Sequence, residues 1–193
     1  IGGAFRALWE GAVYSPRNGF VPLTNTLMWA TPLITAGLGV AFAFRAGLFN
    51  IGGQGQILIA ALFTGFVGAS LQLPFVVHVL VAAFAGIVGG SIWAGIAGWL
   101  KAQTGAHEVI VTIMLNWIAF WGLTYLLKTP VFQAEGAGGN AKAKPIVESA
   151  QLPDLVGAAD WGFILAIIAA FVYWWIMERT TIGFKVRAVG LNP

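Results

Sequence analysis

Cysteine is absent from this chain, so neither a disulfide framework nor a thiolate metal site can form, and the sequence says nothing of redox compartment. Histidine is scarce: His78 and His107 stand too far apart to suggest a metal or proton-relay cluster. Charge is scarcer still, at 9% Asp, Glu, Lys and Arg where soluble domains carry roughly a quarter. The formal charge of +3 comes from basic residues scattered over several loops, which makes no patch for nucleic acid. No Asp or Glu lies in the core of an apolar run, so the carboxylates expected of an ion-coupled secondary transporter are missing. A Ser/His/Asp set or metal-ligand pair on facing segments is missing too, which argues against an intramembrane enzyme. The mixed residues around Arg6, Glu10 and Arg17 do not form a signal peptide.

What remains is apolar: 59% of the 193 residues are hydrophobic, and the mean hydropathy is +0.84. A helix crosses the hydrocarbon layer with about 20 apolar residues. Such runs occupy 25–44 (span A), 57–73 (span B), 75–100 (span C), 108–127 (span D) and 161–177 (span E). The expected fold is all-α, a polytopic transmembrane helical bundle with a short helix outside the membrane at its C-terminal end. Residues 1–24, broken by Ser15-Pro16, Asn18-Gly19 and Pro22, read as an external interfacial segment or loop, and 128–160 as a long external loop. Because the chain opens on Ile1 and stops at Pro193 just past a helix-like stretch, it is expected to be a fragment of a single transmembrane domain, cut at both ends.

The segment that organises the rest is FRAGLFNIGGQGQ at 44–56, a polar, glycine-dense break between spans A and B. Non-helical backbone at membrane depth survives only where protein or a water-filled cavity covers it. Gly52, Gly53 and Gly55 allow a bend, and Asn50, Gln54 and Gln56 offer neutral amides to a polar solute. An ordinary tight turn accounts for the same residues equally well. A nucleotide-phosphate loop does not, because Gln56 is followed by Ile57, Leu58 and Ile59 rather than by Lys and Ser or Thr.

Small residues recur at four-residue spacing in the spans: Thr31, Thr35 and Gly39 in A, Ala61, Gly65 and Ala69 in B, and Ala82, Gly86, Gly90, Ala94 and Gly98 in C. The last set predicts a ridge against which a neighbouring helix packs at backbone distance. Pro32 is expected to kink span A. His78, one turn into span C, reads as a hydrogen-bonded interfacial residue. In span D, Thr112 and Asn116 lie on one face below Glu108; an interhelical hydrogen bond and contact with solute explain Asn116 equally well. Asp160 is placed to cap span E.

Glu178 to Pro193 predicts a short helix with Thr180 or Thr181 as N-cap and Gly190 as C-cap. Phe184, Ala188 and Leu191 share a face, with Lys185 and Arg187 off it, which fits either a helix lying on lipid or one docked in a partner's groove. Lys and Arg divide evenly between the two sides of the membrane, but Arg45, Lys101, Arg179, Lys185 and Arg187 all lie close to span ends. That favours the break and the C-terminal helix as cytoplasmic.

Four blocks carry a resemblance: FRAGLFNIGGQGQ at 44–56, EVIVTIMLNWIA at 108–119, PIVESAQLP at 145–153 and RTTIGFKVRAVGLNP at 179–193. With the span pattern, the chain resembles the permease subunits of bacterial ABC importers for nucleosides and simple sugars, in one broad group with ribose and branched-chain amino acid permeases. The resemblance implies a multi-pass plasma (inner) membrane protein with further spans, no catalytic residues and no cofactor or metal on this chain. ATP and Mg would bind a partner ATP-binding cassette subunit. A second permease subunit and an extracytoplasmic substrate-binding lipoprotein are the other implied partners. The solute path would run by Asn50, Gln54, Gln56, Thr112 and Asn116. The coupling helix at 178–193 would meet the ATPase through Glu178, Thr180, Thr181, Gly183, Phe184, Arg187, Ala188, Gly190 and Asn192. Two positions depart from the pattern: Gln54 stands where many relatives look acidic, and His107 where they often carry Asn. The first suits a neutral solute. A secondary transporter or channel for a small neutral solute is the alternative reading, and nucleoside and sugar are left open.

Overall fold

The computed structural model describes residues 2–191, and Asn192 of the expected coupling set lies outside them. The architecture is all-helical apart from a small hairpin: α1 (Gly2–Ala12), α2 (Val21–Arg45), α3 (Gly53–Ser70), α4 (Phe75–Thr104), α5 (Glu108–Leu126), α6 (Trp161–Arg179) and α7 (Thr181–Leu191). Strands β1 (Asp154–Val156) and β2 (Ala159–Asp160) pair antiparallel within the loop before α6. Among the described residues five helices, α2 to α6, are long and apolar enough to cross a membrane. The chain divides into two compact units, one comprising residues up to Gly47 and from Leu152 onward, the other Leu48–Gln151.

In the first unit α2 packs against α6, and α7 folds back on both. Helix α2 begins at Val21 rather than Asn25, because Pro22 in its first turn has no amide to leave unpaired. It runs unbroken through Pro32; the hydroxyls of Thr31 and Thr35 donate to Leu27 and to Thr31 and Pro32 carbonyls of the same helix. The expected loop before it contains a helix, α1, followed by a tight turn at Ser15–Gly19. The hairpin seats Gly157, at φ 61°, against Thr24, and Asp160 accepts the Gly162 N–H at 2.8 Å to cap α6.

In the second unit α3 and α4 form a close antiparallel pair, with α5 against α3. The ridge on α4 is real but not the one that four-residue spacing predicts. Ala82, Gly86, Gly89 and Ala97 are buried, Gly90 faces Ala60, and Ala94 is half-buried, whereas Gly98 is exposed with nothing within 4 Å among the described residues. Steps of four overshoot a 3.6-residue turn by 40° each, so the four steps from Ala82 to Gly98 wander roughly 160° round the helix. Alternating steps of three and four hold one face, and a Cβ at Gly89 would stand 2.7 Å from the Phe63 ring. Near the other end of α3, Phe66 and Phe132 (centroids 5.2 Å apart) wall a cavity of about 160 Å³ that also touches Gly65, Leu123, Leu127 and Lys144.

Candidate functional site

The break divides between units: Phe44 to Gly47 closes α2, and Leu48 onward leads into α3. The bend itself is at Gly47, φ 74°, and none of Gly52, Gly53 and Gly55 takes a positive φ. Their work is different from the one expected. Gly52 abuts the Asn50 amide and Thr112 Cβ, and Gly55 abuts Asn116 and the Trp93 indole, so a Cβ at either would meet atoms at about 3 Å. The first turn of α3 already includes Gly53 to Gln56, four residues earlier than span B was expected to start.

Helices leave their first amides without intrahelical partners. At α3 a residue from another helix supplies one: Asn116 Oδ1 accepts the Gly55 N–H at 2.8 Å, while its Nδ2 donates to the Ile51 carbonyl at 3.0 Å. Asn50 Oδ1 accepts the Gly52 N–H at 2.8 Å and the Gln56 Nε2–H at 3.2 Å, and Asn50 Nδ2 donates to Gln56 Oε1 at 3.4 Å. Thr112 is buried beside Gly52, its hydroxyl donating to Val109 within its own helix. Four of the five expected path residues therefore gather around Ile51 to Gln56: Asn50 and Gln56 bond each other, Asn116 bonds backbone alone, and Thr112 packs against Gly52 without a hydrogen bond to the others. Gln54 is the exception, exposed in the first turn of α3 with no side-chain hydrogen bond among the described residues.

Depth follows from helix geometry. Lys101 Nζ donates to Glu108 Oε1 at 3.0 Å, which levels the charged ends of α4 and α5. Trp93 and Asn116 each lie eight residues further in from that pair (101 to 93, 108 to 116), roughly 12 Å at 1.5 Å per residue. The irregular backbone thus runs inward from the level of the charges, where the Phe49 N–H donates to Glu108 Oε1 at 3.5 Å, past Thr112 at Gly52 to Asn116. At the same place the Trp93 Nε1–H is buried without a hydrogen-bond partner among the described residues. Sequence reasoning passed over Trp93; its only signal is a four-residue step from Gly89 and Ala97 on the packed face of α4.

The second cluster lies in the first unit, where α7 joins the ends of α2 and α6. Thr180 is the N-cap: its hydroxyl donates to Ile176 at 2.6 Å and accepts the Gly183 N–H at 3.2 Å, while Thr181 is exposed. Gly183, Arg187 and Gly190 form the inward face. Gly183 lies on the Ile176 and Met177 backbone, Arg187 Nη1 donates to Glu178 Oε2 at 2.9 Å, and Gly190 touches Gly47 and the Arg45 carbonyl. Glu178 also pairs with Arg45 at 3.7 Å, joining three helices through one carboxylate. Gly190 is not a C-cap, because α7 continues to Leu191; glycine there allows backbone contact rather than a turn. Phe184, Ala188 and Leu191 form the outward face, with Phe184 66% and Leu191 87% exposed.

Long apolar helices and an irregular segment held by side chains of a neighbouring helix fit a multi-pass membrane protein, and comparison with known proteins gives its family. The chain belongs to the family described as branched-chain amino acid transport system permease components, which matches residues 23–193. It is a multi-pass protein of the plasma membrane. Among curated proteins it is similar to the guanosine ABC transporter permease protein NupP of Bacillus subtilis, at 37% identity over 100% of this chain and 55% of that one. It is also similar to the glucose ABC transporter permease protein TsgB13 of Haloferax volcanii (35% identity, 88% of this chain, 47% of that one). The nucleoside ABC transporter permease protein NupB of Lactococcus lactis matches at 34% identity over 98% of this chain and 53% of its own length. The chain spans about half the length of the curated relatives it matches. No solved structure matches it.

Proposed function

We propose that this chain forms part of the membrane path of an ABC importer for a nucleoside or simple sugar, driven by ATP hydrolysis on a separate subunit. The observation that carries the reading is the clamped break. Irregular backbone at membrane depth is tolerated only against protein or a lined cavity, and transporters place their broken helices at their solute sites. Here Asn116, roughly 12 Å along its helix from the charged end, holds the inner end of such a segment, which starts at the Phe49–Glu108 contact. Neutral amides and the absence of carboxylates in the span cores suit an uncharged, hydroxyl-bearing solute, in keeping with relatives named for guanosine, nucleosides and glucose.

Because Asn50 and Gln56 bond each other, and Asn50 and Asn116 bond the backbone of the break, they act first as the frame of the path. Opening it requires that network to exchange partners, and solute hydroxyls are the natural replacements. Helix α7 is the joint to the ATPase: Gly183, Arg187 and Gly190 fix it to α6 and α2, and Phe184, Ala188 and Leu191 face the partner. ATP and Mg belong to that partner; a second permease subunit and an external substrate-binding lipoprotein complete the assembly. Solute or nucleotide moves such a system only through different affinity for its states.

The test is ATP-dependent uptake by the full-length permease reconstituted with its ATPase and binding protein, using labelled guanosine, glucose and ribose. Saturable uptake of one class is expected. Uptake of none of them, with an active ATPase, would overturn the reading.

A further inference from the structure

Both ends of α3 are capped by side chains from distant parts of the second unit. At the C-terminal end, where the last carbonyls of a helix need partners from outside it, Gly68 O accepts from Val147 N at 3.0 Å, and Val67 O, which accepts the Leu71 N–H at 3.1 Å, takes His78 Nε2 as a second donor at 3.2 Å. A carbonyl only accepts, so Nε2 carries the proton and Nδ1 accepts the Ser149 hydroxyl, at 2.8 Å. His78 is fully buried. It therefore ties segment 145–151 to the turn between α3 and α4, where Gly68 lies against Ile146. Thirteen residues away along α3, from 68 back to 55 and roughly 20 Å, Asn116 grips the Gly55 amide.

We propose that His78 is a positioning residue that makes α3 a strut, so that a protein engaging the loop around 145–151 loosens or tightens the Asn116 clamp at the other end. The strut is continuous helix packed along α4 through Gly86, Gly89 and Gly90, a stiff connection with no break between the two caps. The proposal rests on the importer reading only for the identity of the loop's partner, the external binding protein. The strut itself is tested without it.

The experiment is hydrogen exchange of the full-length permease in its complex, comparing wild type, His78→Leu, His78→Gln and Ser149→Ala. His78→Leu should speed exchange about three- to tenfold, the loss of a hydrogen bond, at both 145–151 and 52–56. Ser149→Ala should give a smaller change at the same two places, and His78→Gln, which keeps a donor and an acceptor, should recover part of the loss. Faster exchange at 145–151 alone, or at neither, overturns the strut; if His78→Leu fails to fold, Ser149→Ala decides by the same criterion. In ATPase assays His78→Leu should lower stimulation by the binding protein while basal hydrolysis is unchanged, and an equal loss of both would overturn the positioning role. A wild-type complex that shows no stimulation at all counts against the importer reading, and exchange still decides the role of His78.

Discussion

The amide of Asn116 reaches from the middle of α5 to hold both sides of the chain's irregular segment, accepting from Gly55 N and donating to Ile51 O. Two backbone groups of the break thus depend on one side chain, while Asn50 and Gln56 bond each other beside it.

Asn116→Leu should leave the Gly55 N–H and the Ile51 carbonyl without partners. We expect a loss of about 2 kcal/mol of stability and uptake lowered about tenfold or more. Thermal unfolding and transport of the reconstituted complex measure the two; wild-type uptake in a stable variant would remove Asn116 from the path.

Trp93→Phe removes a buried donor that has no partner among the described residues, while keeping most of the ring. An unpaired buried donor costs about 1–3 kcal/mol, so the variant should match or exceed wild type in stability. A fall in melting temperature would mean that the indole N–H has a partner in the assembled protein.

Glycines on α4 should separate by face rather than by spacing. Gly89→Ala places a Cβ against the Phe63 ring and should cost about 1–3 kcal/mol. Gly98→Ala meets open space among the described residues and should stabilise the helix by about 0.5–1 kcal/mol. Denaturation of the two full-length variants side by side checks the contrast.

At the α7 joint, Gly190→Ala would drive a Cβ into the Arg45 carbonyl, and stimulated ATPase activity should fall sharply while α2 and α6 stay folded. Glu178→Gln should change stability by less than about 1 kcal/mol, because its two ion pairs are solvent-exposed. It should still weaken coupling by freeing Arg187 and Arg45 from a common anchor. ATPase stimulation that survives both substitutions would separate α7 from the drive train.

Much of this was legible along the chain because hydropathy acts locally. Spans A to E correspond to α2 to α6, and Thr180 caps α7 because hydroxyl capping is decided within one turn. The misses are equally physical. Gly190 and the glycines of the break read as bends, since sequence cannot distinguish a glycine needed for positive φ from one needed for close approach. The ridge ending at Gly98 followed a spacing that a 3.6-residue helix does not keep on one face. His78 was expected to find a hydrogen bond, but Ser149 lies seventy-one residues away and nothing local points to it.

Composition alone settled that this protein lives in lipid, because a chain so poor in charge has no other way to hide its apolar surface, and the length of its apolar runs selected helices over a closed barrel. Which amides face each other was decided only in three dimensions. Asn116, Gly55 and Trp93 sit on separate helices, and whether an amide is spent on backbone or free for solute depends on angstrom-scale approach between segments that no sequence period encodes.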